Sequence, residues 1–225
     1  MGMLFAIEGV DGSGKETQTK FLYDRLLCEG KNAVRISFPD YDNDSSYAVK
    51  MYLSGQFGKN ANDINAKAAS TFFALDRYIS YKTKWEKIYN GDSIIIADRY
   101  VTSNMIHQAS KIAEEGQKDE FLEWLCDFEY GVYGLPKPDK VIFLDVAPEV
   151  SEKLTRGRKN KATGGSDKDI HESDASHIKN SYNNAKYVAE KYGWEIIECA
   201  PDGKMRSIED IGAQIYGILF EKTDF

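Results

Sequence analysis

The run Gly9-Val10-Asp11-Gly12-Ser13-Gly14-Lys15 sits between a short apolar segment, Met3 to Glu8, and a stretch of helical periodicity that opens at Lys15. Glycines at these spacings let consecutive backbone N–H groups turn inward around an anion, and the start of a helix adds its partial positive charge. Gly-x4-Gly-Lys in a strand-to-helix setting is the arrangement in which a lysine, here Lys15, reaches the β- and γ-phosphates of a nucleoside triphosphate. A Gly-rich turn with no ligand is the plainer alternative, and the place of the motif in front of a helix speaks against it. The residues expected to hold ATP are therefore Gly9, Val10, Asp11, Gly12, Ser13, Gly14, Lys15, Glu16 and Thr17. Where a Ser or Thr ordinarily follows the lysine and binds Mg²⁺, this chain has Glu16, with Thr17 after it. A carboxylate there can meet the ion through water, or turn away and leave it to the phosphates and Asp11; both stay open.

Asp98-Arg99-Tyr100 follows directly on the apolar run Ser93 to Ala97. In an open α/β sheet ligands bind beyond the carboxyl ends of the strands, so this triplet should face the phosphate cradle. Asp98 can then orient the water shell of a metal ion, and Arg99 can bridge a phosphoryl group in transfer. A structural Asp-Arg ion pair is the alternative, and a chain that already carries a phosphate loop favours function. Phe73 and Arg77 are four residues apart on an amphipathic stretch and share a helix face. One can stack on a planar base while the other donates to it. For Phe73 alone, ordinary core packing is the stronger reading.

These residues need a scaffold, and β-rich apolar runs alternate with helical segments as in a parallel sheet covered by helices. The expected strands are Met3 to Glu8, Asn32 to Ser37, Ser93 to Ala97, Lys140 to Asp145 and Glu195 to Glu198, the third and fourth central because they are almost continuously apolar. The expected helices are Lys15 to Cys28, a long one within Ile64 to Tyr89, two within Ser103 to Tyr130, and two closing ones near Ser176 to Tyr192 and Ile208 to Phe220. The fold class is α/β, a three-layer P-loop architecture with five parallel strands. No repeat and no linker divides the chain, so residues 1–225 are expected to form one domain. Lys159 to Lys168 is rich in Gly, Ser and charge, as functional or disordered loops are.

A net charge of −7 over 225 residues supplies no global positive field for a nucleic-acid backbone. Cys28, Cys126 and Cys199 are odd in number and far apart, which argues against a disulfide framework and against a zinc site. With no leader-like start and no window of membrane-spanning length, a cytoplasmic protein without a membrane partner is expected.

Over nearly its whole length the chain resembles the thymidylate kinase family. Ile7-Glu8-Gly9-Val10-Asp11-Gly12-Ser13-Gly14-Lys15 is similar to that family's loop, and Phe38-Pro39 to its turn beside the acceptor phosphate. Tyr41 falls where some bacterial members carry a phosphate-contacting Tyr; the Arg that others have nearby is missing. Phe73-Ala74-Leu75-Asp76-Arg77 resembles the segment in which a Phe stacks on thymine and an Arg bonds its O4. The resemblance thus reverses the preference for core packing at Phe73. Ser103, Asn104, His107 and Gln108 match the positions that line the nucleoside pocket, His107 where an aromatic Tyr or Phe is common against the deoxyribose. Asp145 to Val150, followed by Arg156 and Arg158, resembles the strand, turn and helix leading into a bacterial lid. With Gly12 in the loop, the chain is similar to the class in which lid arginines supply the charge.

The resemblance implies a lid over 156–172, with Asp169, His171 and Glu172 on its far side and Tyr182 following. It implies transfer from ATP, with Mg²⁺, to dTMP, and a homodimer. The catalytic residues implied are Lys15, Asp11, Arg99, Arg156 and Arg158. Those around dTMP are Asp11, Phe38, Tyr41, Phe73, Arg77, Arg99, Ser103, Asn104, His107, Gln108 and Tyr182, and those near the metal Asp11, Asp98 and Glu16. Another nucleoside or nucleotide kinase, or a non-catalytic nucleotide-binding protein in which Glu16 has spoiled the metal site, are the alternatives.

Overall fold

The computed structural model describes residues 2–155, 169–171 and 174–220. Arg156, Arg158 and Glu172 lie outside the described residues, as does most of the 156–172 segment.

Strands β1 (Met3–Glu8), β2 (Ala33–Ser37), β3 (Ile94–Asp98), β4 (Lys140–Asp145) and β5 (Glu195–Glu198) form one parallel sheet in the order β2-β3-β1-β4-β5. All of β3 is buried, whereas β5 at the edge buries only Ile197, so the continuous apolar runs are interior as their composition requires. β1 lies at the centre with Ile7 in register with Asp98 on one side and Ile142 on the other. The loop after β1 and the triplet after β3 are thereby neighbours at one end of the sheet. Two strands differ by a residue from expectation: β2 begins at Ala33, and β3 runs from Ile94 to Asp98, taking the carboxylate into the strand.

Helices α1 (Lys15–Cys28) and α9 (Ile208–Phe220) cover one face, where Leu22, Leu26, Ile211 and Ile215 pack on Ile94, Ile96 and Ile142. The opposite face carries α3 (Ala66–Ser80), α5 (Val101–His107), α6 (Glu115–Cys126) and α8 (Ala175–Tyr192), with Trp85, Tyr100, Met105, Phe121, Leu125 and Val188 in its core. Short helices α2 (Tyr47–Leu53), α4 (Glu86–Asn90) and α7 (Pro148–Thr155) complete the order.

The Ile64 to Tyr89 stretch is not one helix. α3 starts where the Asn65 side chain accepts from the Ala68 N–H, then passes through a π turn over Tyr81–Trp85 into α4. A second π turn, Asp127–Val132, extends α6. Each wide turn re-aims the side chains that follow by one position, which a 3.6-residue pattern does not reveal. α2 and the 3₁₀ turn Asp44–Ser46 before it were not expected at all, being too short to show periodicity. Among the described residues no helix is long and apolar enough to cross a membrane, and all three cysteines are free thiols.

Candidate active site

At the carboxyl ends of β1 and β3 lies a single cleft of about 1670 Å³. That exceeds the roughly 300–1,000 Å³ of a pocket for one small molecule, and suits two ligands side by side.

One end of the cleft is made of backbone. Gly9, Gly12 and Gly14 have φ of 158°, 80° and 90°, values that side chains resist. Gly12 is also closely approached: a Cβ there would stand 2.7 Å from the Ser151 carbonyl oxygen and equally near Thr155, so α7 packs directly on the loop. α1 begins after Gly14 with no side chain capping its amides, which leaves its first-turn N–H groups for a ligand. Lys15 is almost buried, and its Nζ donates to the Val10 carbonyl at 2.8 Å. Burial, aided by the Arg99 charge, pushes Lys15 down to about 8. Glu16 and Thr17 line the cleft from the first turn of α1, Glu16 largely exposed. Among the described residues no group of three or more His, Cys, Asp or Glu converges as a metal cage.

Arg99 joins the two ends. Its φ of 67° lies in the left-handed region, costing a non-glycine residue on the order of 1–3 kcal/mol. Its N–H donates to Ile7, and its side chain turns to form an ion pair with Asp11. Burial favours the neutral Asp11, but Arg99 and then Lys15 outweigh it and hold the carboxyl well below its usual range. Nη1 of Arg99 stands 3.1 Å from Nε2 of His107. Since arginine only donates, that nitrogen must accept, which makes His107 a neutral ring protonated on Nδ1. Burial and the Arg99 charge accordingly lower the His107 pKa far below the ordinary value.

The other end is made of side chains. Phe73 lines the cleft and meets Tyr52 edge-on at 6.0 Å. Arg77, four residues on, lines it too, but its guanidinium is gripped: Nε and Nη2 donate to Glu129 at 2.7 and 2.6 Å. Asn104 donates from Nδ2 to the same carboxylate at 3.0 Å and to the Ser70 carbonyl at 3.2 Å. Gln108 is buried on the cleft wall, and its Oε1 has no partner among the described residues. Phe38 and Tyr41 line the same region, Phe38 buried against Tyr100. Ser103 also lines the cleft and donates to Glu8.

Asp98 is 7% exposed and lines the cleft at the end of β3. Asp169 and His171 reach the wall, where the His171 ring stacks in a group with His107 and His177, the chain's three histidines. Tyr182, expected beside dTMP, is not on the cleft wall: α8 turns its hydroxyl to Asp145 Oδ1 at 2.8 Å. The helix face facing the cleft instead presents His177, Ile178 and Ser181.

Two residues with no expected role prove central. Glu8, fully buried, accepts from the Tyr100 N–H, Thr102 Oγ1 and Ser103 Oγ, tying β1 to the start of α5. A carboxylate ending a buried strand was the available signal. Glu129 carried none, since the π turn decides where it points.

The thymidylate kinase family model matches residues 7–204. A thymidylate kinase of Mycobacterium tuberculosis H37Rv is 34% identical over 174 residues, 77% of this chain and 79% of that one. The thymidylate kinase of Homo sapiens is 29% identical over 157 residues, 69% of this chain and 66% of that one. A solved thymidylate kinase structure from Candida albicans superposes with a TM-score of 0.72 at 22% identity, covering 97% of this chain and 91% of that one, a likeness of fold. Phosphate loop, sheet order and the extent of the family match agree, and this chain belongs to the thymidylate kinase family.

Proposed function

We propose that the chain transfers the γ-phosphoryl group of ATP to the 5′-phosphate of dTMP, giving ADP and dTDP. The observation that carries this reading is one cleft with a backbone phosphate cradle at one end and a Phe73–Arg77–Asn104 group at the other, joined by the Asp11–Arg99 ion pair. An acceptor phosphate oxygen attacks the γ-phosphorus in line, the bond to the β-phosphate oxygen breaks, and ADP leaves with that electron pair. The acceptor is already anionic, so no strong base is required and the chain's work is positioning and neutralisation.

In this reading Lys15 leaves the Val10 carbonyl for the β- and γ-phosphates, whose negative charge favours its ammonium form. Arg99 spans donor and acceptor phosphates, with Asp11 holding it in place. Phe73 stacks on the base, Arg77 and Asn104 read its edge, and His107 lies against the sugar. Asp11, Asp98 and Glu16 supply oxygen ligands of the kind Mg²⁺ takes, one or two carboxylates with the phosphates completing the shell; when bound, the ion neutralises phosphate charge. The single domain of residues 1–225, the 156–172 lid with its arginines, the homodimer and the cytoplasmic setting belong to the same proposal.

ADP release measured against dTMP, dUMP, dCMP, dGMP and thymidine tests it. The expected outcome is fastest turnover with dTMP. ATP binding without acceptor-dependent turnover would overturn it.

A further inference from the structure

Glu129 is wholly buried, comes from a π turn rather than from any strand end, and takes three donors from two helices that both line the cleft. A carboxylate accepts only, so whatever faces it must be a donor. That constraint settles two orientations. The Asn104 amide has its nitrogen committed to Glu129 Oε1 and the Ser70 carbonyl, so its other end is the oxygen, an acceptor. The Arg77 guanidinium is held bidentately along its Nε–Nη2 edge, and its remaining N–H groups are fixed in direction as donors. Burial works against the Arg77 charge, and Glu129 more than offsets it.

A base edge meeting this pair finds a donor beside an acceptor. Thymine and uracil offer the complement, a carbonyl at position 4 and an N3–H. Cytosine offers the reverse, an amino group at position 4 and a bare N3. We propose that Glu129 is a positioning residue that sets the hydrogen-bond polarity of the acceptor pocket, so that 4-oxo pyrimidines are taken and 4-amino pyrimidines refused. The inference rests on the reading above that the acceptor base lies against Arg77 and Asn104. Glu129 touches no substrate and acts through those two side chains. A site built to pair polar groups rejects the unpaired analogue strongly, because its own buried groups are then left without partners.

The test compares KM for dTMP with the inhibition constant of dCMP in the wild type, Glu129→Asp and Glu129→Gln. Gln in either orientation turns an N–H₂ group towards a donor, loosening the grip on Arg77 or reversing Asn104. Asp keeps the accepting charge one methylene short. Expected is a stepwise fall in dTMP-over-dCMP preference, largest in Glu129→Gln at about tenfold or more, with KM for ATP changed little. A purely structural role would lower thermal stability, or weaken both nucleotides by one factor, and leave the preference intact. An unchanged preference in folded Glu129→Gln overturns the proposal. Should that variant not fold because Arg77 is left buried without its counter-charge, an unchanged preference in Glu129→Asp does so. Phe73→Ala and Arg77→Met measured alongside separate the two levels. If they leave KM for dTMP unaltered, the base lies elsewhere and the site reading fails, taking this proposal with it. If they raise it while the Glu129 variants keep their preference, Glu129 alone has been misassigned.

Discussion

The two ends of the cleft are built by different means. The proposed donor end is one continuous segment, residues 9–15, whose glycine dihedrals shape a loop of backbone ahead of α1. The acceptor end draws Phe73 and Arg77 from α3, Asn104 from α5 and Glu129 from a turn 52 positions beyond Arg77. A backbone-made site recognises what every triphosphate shares, whereas a site made of side chains can tell one base from another. Changes at the donor end should therefore slow every acceptor alike, and changes at the acceptor end should alter the choice among them.

Lys15→Ala should break the donor end most severely, lowering kcat by on the order of 10²–10³ for dTMP and dUMP equally, with circular dichroism unchanged. Unequal losses would erase the distinction between the two ends. Phe73→Ala should sharpen it: KM for dTMP should rise roughly 10- to 100-fold, as loss of a stacked base suggests, with KM for ATP steady.

A pH titration probes the donor end again. With Lys15 at about 8 in the free protein, kcat/KM for ATP should fall about tenfold per pH unit above that value as the ammonium loses its proton. A flat profile to pH 9.5 would mean that Lys15 is not the group in contact with phosphate. The smallest effect concerns stability at the acceptor end. Burial, then the Lys111 charge, outweighs Asp174 and Asp11 and pushes His177 down to about 4, below the ordinary 6.5 of the unfolded chain. Between those values the unfolded chain binds more protons, so stability should drop as pH falls from 6.5 towards 4, by at most about 1.4 kcal/mol per unit for this group. In His177→Gln, denaturant unfolding should show a flatter slope across that window.

The donor end was legible because its requirements are local. Loop glycines, the lysine and the following helix are contiguous, and α1 and α9 end where their periodicity says they should. The five strands announced themselves by apolar runs with boundaries shifted by no more than a residue. Phe73 and Arg77 were legible as a pair by spacing, but not the carboxylate that grips the arginine. Glu129 sits among aromatic residues on what reads as plain helix, and the π turn that brings it inward has no periodic signature. Tyr182 shows where position in the chain stops short. It stands at a matching position in the chain, yet the rotation of α8 gives its hydroxyl to Asp145. Which face of a helix meets a cleft is decided by packing between distant elements.

Glu8 has one further bearing on how the two ends work together. It is the last residue before the phosphate loop, and at zero exposure it binds the first residues of the helix that carries Asn104 and His107. Donor and acceptor platforms are thus spliced through an interior carboxylate rather than across solvent. The spacing between the two phosphates is then inherited from the folded core, already present before either nucleotide arrives.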